Sequence, residues 1–273
     1  MYKMIVCDLD ETLMNDDGSL SAENAAAIQA ATAKGVYFVA NSGRSYTSFQ
    51  DNLAEMHLRD KKDQYSISYN GGLILENAGN RPIAVNAMPF DLAKGVFEVG
   101  ADDAEAATHV YTQDKLFIYN PIPDDSAYLR NRGVEFTTIT DDNFDQFKDL
   151  NVMKVIMALP TVAKRKAMKA AVEKVVDPSQ LAVTFSSGRY VEFNQAGVDK
   201  GSASVQLGQL LGIQPSEIIA AGDNSNDLPM LNAVGLPVSV ANGIESVKAA
   251  AKYVTEADNN HAAIAEIINK FVL

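Results

Sequence analysis

Cysteine occurs once in this chain and tryptophan not at all. A single thiol excludes an intrachain disulfide framework, so the packed core must hold the fold together. Histidine is scarce as well. His57, His109 and His261 lie far apart, without the spacing of a metal site, and each is expected at the surface. No apolar run approaches the ~18 residues needed to span a bilayer. The first run breaks at Asp8, before it can form the hydrophobic region of a signal peptide. Positive charge is also short: 23 Lys and Arg stand against 35 Asp and Glu, giving a net charge of −12. That balance argues against nucleic acid or an anionic membrane as the main partner. A small anionic ligand is still allowed, because a few local cations can override the global field. The expectation is a soluble, cytoplasmic protein, with oligomeric state left open.

What is present is ordinary in amount. The 273 residues are 47% hydrophobic and 21% charged, enough for one large domain or two smaller ones with substantial cores. Placement is the informative feature. Ile5-Val6-Cys7 runs straight into Asp8, skips Leu9 and presents Asp10. Residues two apart on a strand share a face, so Asp8 and Asp10 should project together from its C-terminal end. Carboxylates held that close repel each other and require a cation or a shared proton. Cys7, inside the apolar run, reads as a small buried hydrophobe.

The rest of the chain supplies a frame for this pair. Ser21 is placed to cap a helix through Ala33, with Gly35 at its stop. Val36–Ala40 reads as a second strand, ending in Asn41-Ser42-Gly43-Arg44, and a helix is expected from Tyr46 to Leu58. Tyr65–Tyr69 reads as a third strand, followed by Asn70-Gly71-Gly72 and a hairpin centred on residues 77–80. This βαβ pattern implies a parallel sheet, whose ligands bind outside the C-terminal strand ends.

From Pro89 to Ser187 the texture changes. Strands are expected at His109–Tyr119, Val134–Ile139 and Met153–Leu159, and a helix at Val162–Val176. The parallel pattern then returns. Asp199-Lys200-Gly201 opens a helix with Leu207, Leu210 and Leu211 on an apolar stripe. Ile218–Ala221 forms a buried strand ending in Gly222-Asp223-Asn224-Ser225-Asn226-Asp227, and Leu236–Val240 forms another. The fold class is α/β: a doubly wound parallel-sheet core over residues 1–82 and 190–273, with an α/β cap inserted at 83–189.

Asp8, Asp10, Ser42, Asp223 and Asp227 thus fall at strand ends on one sheet edge, with Lys200 close by. Four carboxylates and one lysine make a poor structural core. They suit a hard, oxygen-liganded divalent cation such as Mg²⁺.

In this order the motifs resemble those of the haloacid dehalogenase superfamily, and specifically its Cof-type phosphatases with a large α/β cap. Asp8-Leu9-Asp10-Glu11-Thr12 resembles the first motif, Ser42-Gly43-Arg44 the second, Lys200 the third and the Gly222–Asp227 run the fourth. The resemblance covers the whole chain. It implies a phosphatase acting on small phosphorylated metabolites through an aspartyl-phosphate. Asp8 would be the nucleophile and Asp10 the general acid and base. Ser42 would bind a phosphoryl oxygen, and Lys200 would offset charge. Mg²⁺ would be held by Asp8, the backbone carbonyl of Asp10, and Asp223, with Asp227 and Asn226 in support. Gly43, Arg44 and Asn70 are further candidates for substrate binding. A phosphomutase of the same superfamily, or a phospho-ligand sensor without turnover, are the competing functions.

The chain departs from the family pattern at three places. Glu11 stands where glycine is usual, and its side chain is expected to face solvent. Ser42 replaces threonine and keeps the hydroxyl. Asn259-Asn260-His261-Ala262 replaces an Asp-Gly-Val-Ala run.

Overall fold

In the computed structural model, which describes residues 1–273, the first strand sorts its side chains by parity. Strand β1 (Met4–Cys7) sends Ile5 and Cys7 into one hydrophobic cluster and Met4 and Val6 into another. All four are fully buried. A strand that is apolar on both faces belongs in a sheet covered on both sides. The same parity carries Asp8 toward the face of Met4 and Val6.

By contacts the chain divides into two units, Met1–Val85 with Asp199–Leu273, and Asn86–Val198. The first unit continues with α1 (Ala22–Ala33), β2 (Tyr37–Asn41), α2 (Gln50–Glu55), β3 (Tyr65–Ser68), β4 (Leu73–Glu76) and β5 (Arg81–Val85). The second contains α3 (Phe90–Ala101), β6 (Ala107–Thr112), β7 (Leu116–Tyr119), α4 (Pro123–Arg130) and β8 (Thr137–Ile139). It closes with β9 (Val152–Ala158), α5 (Val162–Val172), β10 (Leu181–Ser186) and β11 (Tyr190–Gln195). The first unit then resumes with α6 (Lys200–Leu210), β12 (Ile218–Gly222), α7 (Leu228–Ala233), β13 (Leu236–Ser239), α8 (Glu245–Ala250), β14 (Tyr253–Val254) and α9 (Ala263–Phe271). No helix is long and apolar enough to cross a membrane.

The first unit holds an eight-stranded sheet in the order β14-β13-β12-β1-β2-β3-β4-β5. Strands β14 through β3 run parallel, while β4 and β5 return as an antiparallel hairpin. On one face α1 and α9 contribute Ile28, Ala31, Ile264 and Ile267. On the other, α6, α7 and α8 contribute Leu207, Met230 and Val247. Ser21 accepts a hydrogen bond from the Asn24 amide, as its capping position requires. The chain leaves β1 toward β2 on one side and later returns to β12 on the other. That reversal opens a crevice at the C-terminal ends of these three strands.

The second unit is a six-stranded sheet, ordered β10-β11-β9-β6-β7-β8. Phe97 and Met168, from α3 and α5, pack with Val155 and Phe193 on one face, and Leu129 of α4 packs with Ile118 on the other.

Several expectations are corrected. The junctions between units fall at 85/86 and 198/199, because β5 pairs with β4 in the first sheet and β11 pairs with β9 and β10 in the second. His109–Tyr119 is a hairpin, broken at Gln113-Asp114-Lys115. His109 is fully buried, not at the surface, because Asp125 of α4 lies 2.8 Å from its Nε2 and also accepts from the Tyr190 hydroxyl. The helix expected from Tyr46 begins as a 3₁₀ turn through Phe49 and ends at Glu55, before His57 turns to a left-handed φ of 61°. Leu210 is 57% exposed, and α6 instead rests on Ala203 and Leu207.

Candidate active site

Lys200 organises the crevice. It is the first residue of α6, and the preceding Asp199 caps the helix by accepting from the amides of Gly201 and Ser202. The cap fixes where the lysine stem leaves the backbone. Its Nζ donates to Asp8 Oδ1 at 2.6 Å and to Asp227 Oδ1 at 2.7 Å, and the side chain is fully buried.

Asp227 is spent on structure. Its Oδ2 accepts from the amides of Asp223 and Asn224, both at 3.0 Å, which folds the turn after β12. The turn needs Gly222: a Cβ there would lie 2.5 Å from that of Asp227. Asp223 receives the Thr12 hydroxyl on Oδ1 at 2.6 Å. One oxygen on Asp8 and one on Asp223 are thus left without a hydrogen bond. Ligand oxygens of Asp8, Asp223 and Asp227 lie within 4.8 Å of one another.

Three buried carboxylates share one ammonium, so the cluster carries excess negative charge. Burial is the largest cause that pushes Asp8 up to about 8, helped by Asp227 and Asp223 and opposed by Lys200. Asp223 rises to about 6, again chiefly through burial. The facing carboxylates hold the Lys200 ammonium well above its ordinary value, despite burial.

Asp10 is not part of this cluster. Its exposed carboxylate is turned to Arg44, which donates through Nε at 2.8 Å and through a second guanidinium nitrogen. Ser42 is buried at the end of β2, where its Oγ accepts from the Arg44 amide at 3.1 Å. The loop of Ser42, Gly43 and Arg44 is fastened to the turn after β3. Ser42 donates to the Ile67 carbonyl, the Asn70 amide donates to Ser42, and Tyr69 and Ser68 both donate to the Arg44 carbonyl. The turn itself is unusual. Tyr69, Asn70 and Gly71 all have left-handed φ, at 54°, 53° and 103°. Backbone strain of this kind gathers at functional sites. Asn70 lies against Gly43, where a Cβ would approach its Oδ1 to 3.0 Å. Asn226 is exposed on the 3₁₀ turn after β12, next to Asp227 in the chain. Glu11 is exposed as expected, and its φ of 58° explains why a glycine would be at ease there.

A family model for haloacid dehalogenase-like hydrolases matches residues 5–268. The chain belongs to this family. It is similar to YxeH of Bacillus subtilis, provisionally named a phosphatase, at 31% identity over all of this chain and 99% of that one. YwtE of the same organism, named a 5-amino-6-(5-phospho-D-ribitylamino)uracil phosphatase, is 28% identical over 95% of this chain and 94% of its own. Among solved structures, TM0651 of Thermotoga maritima superposes with a TM-score of 0.86 at 26% identity, covering 100% of this chain and 98% of that one. The protein is an enzyme, a Cof-type phosphatase of the haloacid dehalogenase family.

The donor set fits the divalent cation such a phosphatase uses. All the ligands are hard oxygens, two of them carry no other partner, and burial leaves their charge uncompensated. Asp8 and Asp223 are the carboxylates free to hold it; Asp227 stands behind them, bonded to Lys200 and to backbone. Sequence reasoning named Thr12 only as part of a motif and missed its bond to Asp223. It also passed over Asn41, although a polar residue closing the apolar run Phe38-Val39-Ala40 is itself a signal.

Proposed function

We propose that this phosphatase hydrolyses small phosphate monoesters by phosphoryl transfer to Asp8, with Mg²⁺ as its cofactor. The observation that carries the reading is the hold of Lys200 on Asp8, which orients a buried carboxylate at the C-terminal edge of the sheet. Lys200 and a bound Mg²⁺ would favour the ionised form of Asp8, and an ionised carboxylate needs no base to activate it. Attack on phosphorus breaks the ester bond and forms an aspartyl-phosphate on Asp8. Asp10, once released from Arg44 and protonated from solvent, gives that proton to the departing alkoxide. It then takes a proton from the water that cleaves the acyl phosphate, which frees inorganic phosphate and restores Asp8. Ser42 donates to a phosphoryl oxygen, and Lys200 balances the charge on Asp8 throughout. Mg²⁺, held by Asp8, Asp223 and the Asp10 backbone carbonyl, would supply positive charge opposite the phosphoryl oxygens.

The substrate class is sugar or polyol monophosphates, supported by the phosphoribityl compound in the name of one relative. The location is cytoplasmic, in keeping with such metabolites. The experiment is phosphate release from p-nitrophenyl phosphate and a panel of sugar and polyol phosphates, in Mg²⁺ and in EDTA. Turnover in Mg²⁺ that disappears in EDTA is expected. Turnover unaffected by EDTA contradicts the cofactor, and none of the panel being hydrolysed contradicts the substrate class.

A further inference from the structure

Asn41 closes β2 immediately before Ser42, and it is fully buried behind Phe38, Val39 and Ala40. Its Nδ2 donates to the backbone carbonyl of Lys200 at 3.0 Å and to Ser204 Oγ at 3.2 Å, with Met230 Sδ at 3.8 Å. Ser204 in turn donates its hydroxyl to the same Lys200 carbonyl at 2.5 Å. The opposite end of the amide is unsatisfied: Asn41 Oδ1 is buried without a hydrogen-bond partner. Burying such an acceptor is costly, and an apolar side chain at this position would avoid the cost. Asn41 therefore stands at a core position where packing alone favours another residue.

We infer that Asn41 is a positioning residue for Lys200, acting through the backbone carbonyl at the start of α6. The inference rests on the phosphatase reading, in which Lys200 balances Asp8 and the transferred phosphoryl group. A lysine stem has four rotatable carbons, so its ammonium is only as well placed as the backbone that carries it. Asp199 secures the amide side of the first turn of α6, and Asn41 with Ser204 secures the carbonyl side. The bond also ties the strand end that presents Ser42 to the helix that presents Lys200. The two groups are thereby held in register across the crevice, and small misplacements at such a site lower rates sharply.

The test compares Asn41→Leu, which keeps the volume, and Asn41→Ala, each alone and combined with Lys200→Ala. Phosphate release, thermal unfolding and a crystal structure of each folded Asn41 variant are measured. The expected result is a fall in kcat of about 10-fold, with Tm unchanged or raised and with Lys200 Nζ moved off Asp8 or Asp227. The change should cost nothing further in the Lys200→Ala background, because two residues acting through one group are not additive. A loss of activity that adds to that of Lys200→Ala, or Lys200 contacts left intact in the crystal, overturns the inference. If the parent itself releases no phosphate, the phosphatase reading fails, and the crystal structures still decide whether Asn41 places Lys200.

Discussion

The Lys200 ammonium lies 2.6 Å from Asp8 and 2.7 Å from Asp227, and its side chain has no exposed surface. One positive charge thus meets three acidic groups once Asp223 is included. The arrangement is under-compensated until a cation completes it, which gives stability a definite dependence on pH. With folded values of about 8 for Asp8 and about 6 for Asp223, these two groups hold more protons in the native state than in the unfolded chain above pH ~4. Between about pH 5 and 8 they dominate the balance over the carboxylates held low elsewhere. Stability of the metal-free protein should therefore fall as pH rises from 5 to 8. Urea unfolding in EDTA at the two pH values reads this directly, and added Mg²⁺ should shrink the difference. A metal-free protein more stable at pH 8 than at pH 5 would show the cluster to be balanced already.

Thr12 is fully buried and spends its hydroxyl on Asp223. Thr12→Val keeps the shape and removes the donor, which frees Asp223 to rotate. Outer partners of metal ligands are typically worth 10–100-fold in affinity. The Mg²⁺ concentration for half-maximal activity should rise by about 10-fold, with a matching loss in a calorimetric Mg²⁺ titration. Unchanged Mg²⁺ affinity would remove Thr12 from the metal site.

Gly222→Ala would drive a methyl into the Asp227 side chain, with its Cβ 2.5 Å from that of Asp227 and 2.7 Å from Oδ2. Asp227 cannot yield without releasing Lys200 and the Asp223 amide. A destabilisation of about 1–3 kcal/mol is expected from the overpacking, together with loss of turnover. A variant with parental Tm and rate would mean that the turn has slack that its contacts do not suggest.

Much of this site was legible from the sequence because β-strands alternate and parallel sheets gather ligands at one edge. Asp8, Ser42 and Asp223 follow apolar runs, and the fold places all three at the ends of adjoining strands. What escaped depends on rotamers and on pairing partners distant in sequence. Asp10 follows Asp8 by two positions, yet the chain leaves the strand at Asp8, and the Asp10 carboxylate turns to Arg44. Asp227 falls within the oxygen cluster as its motif implies, but the backbone amides and Lys200 that its oxygens also bond are partners a linear motif does not show. The second junction falls at 198/199 and not at residue 190, and the local sequence of β11 does not reveal this. Only its partners, β9 and β10, assign it to the inserted unit.

Ala262 adopts a left-handed conformation, φ 62°, just before α9. That backbone costs a residue with a Cβ roughly 1–2 kcal/mol, and glycine is free of the cost. Ala262→Gly gives part of the gain back through the greater freedom of the unfolded chain. A net stabilisation of about 1 kcal/mol is expected, seen as a Tm about 2 °C higher with activity unchanged. A lower Tm would mean that the methyl group makes a packing contribution larger than the strain.

The central claim is that Asp8 attacks the phosphate. The most direct measurement is phosphate release by Asp8→Asn beside the parent, in saturating Mg²⁺, with thermal unfolding of both. Asparagine keeps the shape, cannot attack, and removes one charge from an over-acidic cluster. The account predicts a variant folded at least as stably as the parent, with turnover lower by about 10³-fold or more. A folded Asp8→Asn variant that releases phosphate at the parental rate would contradict it.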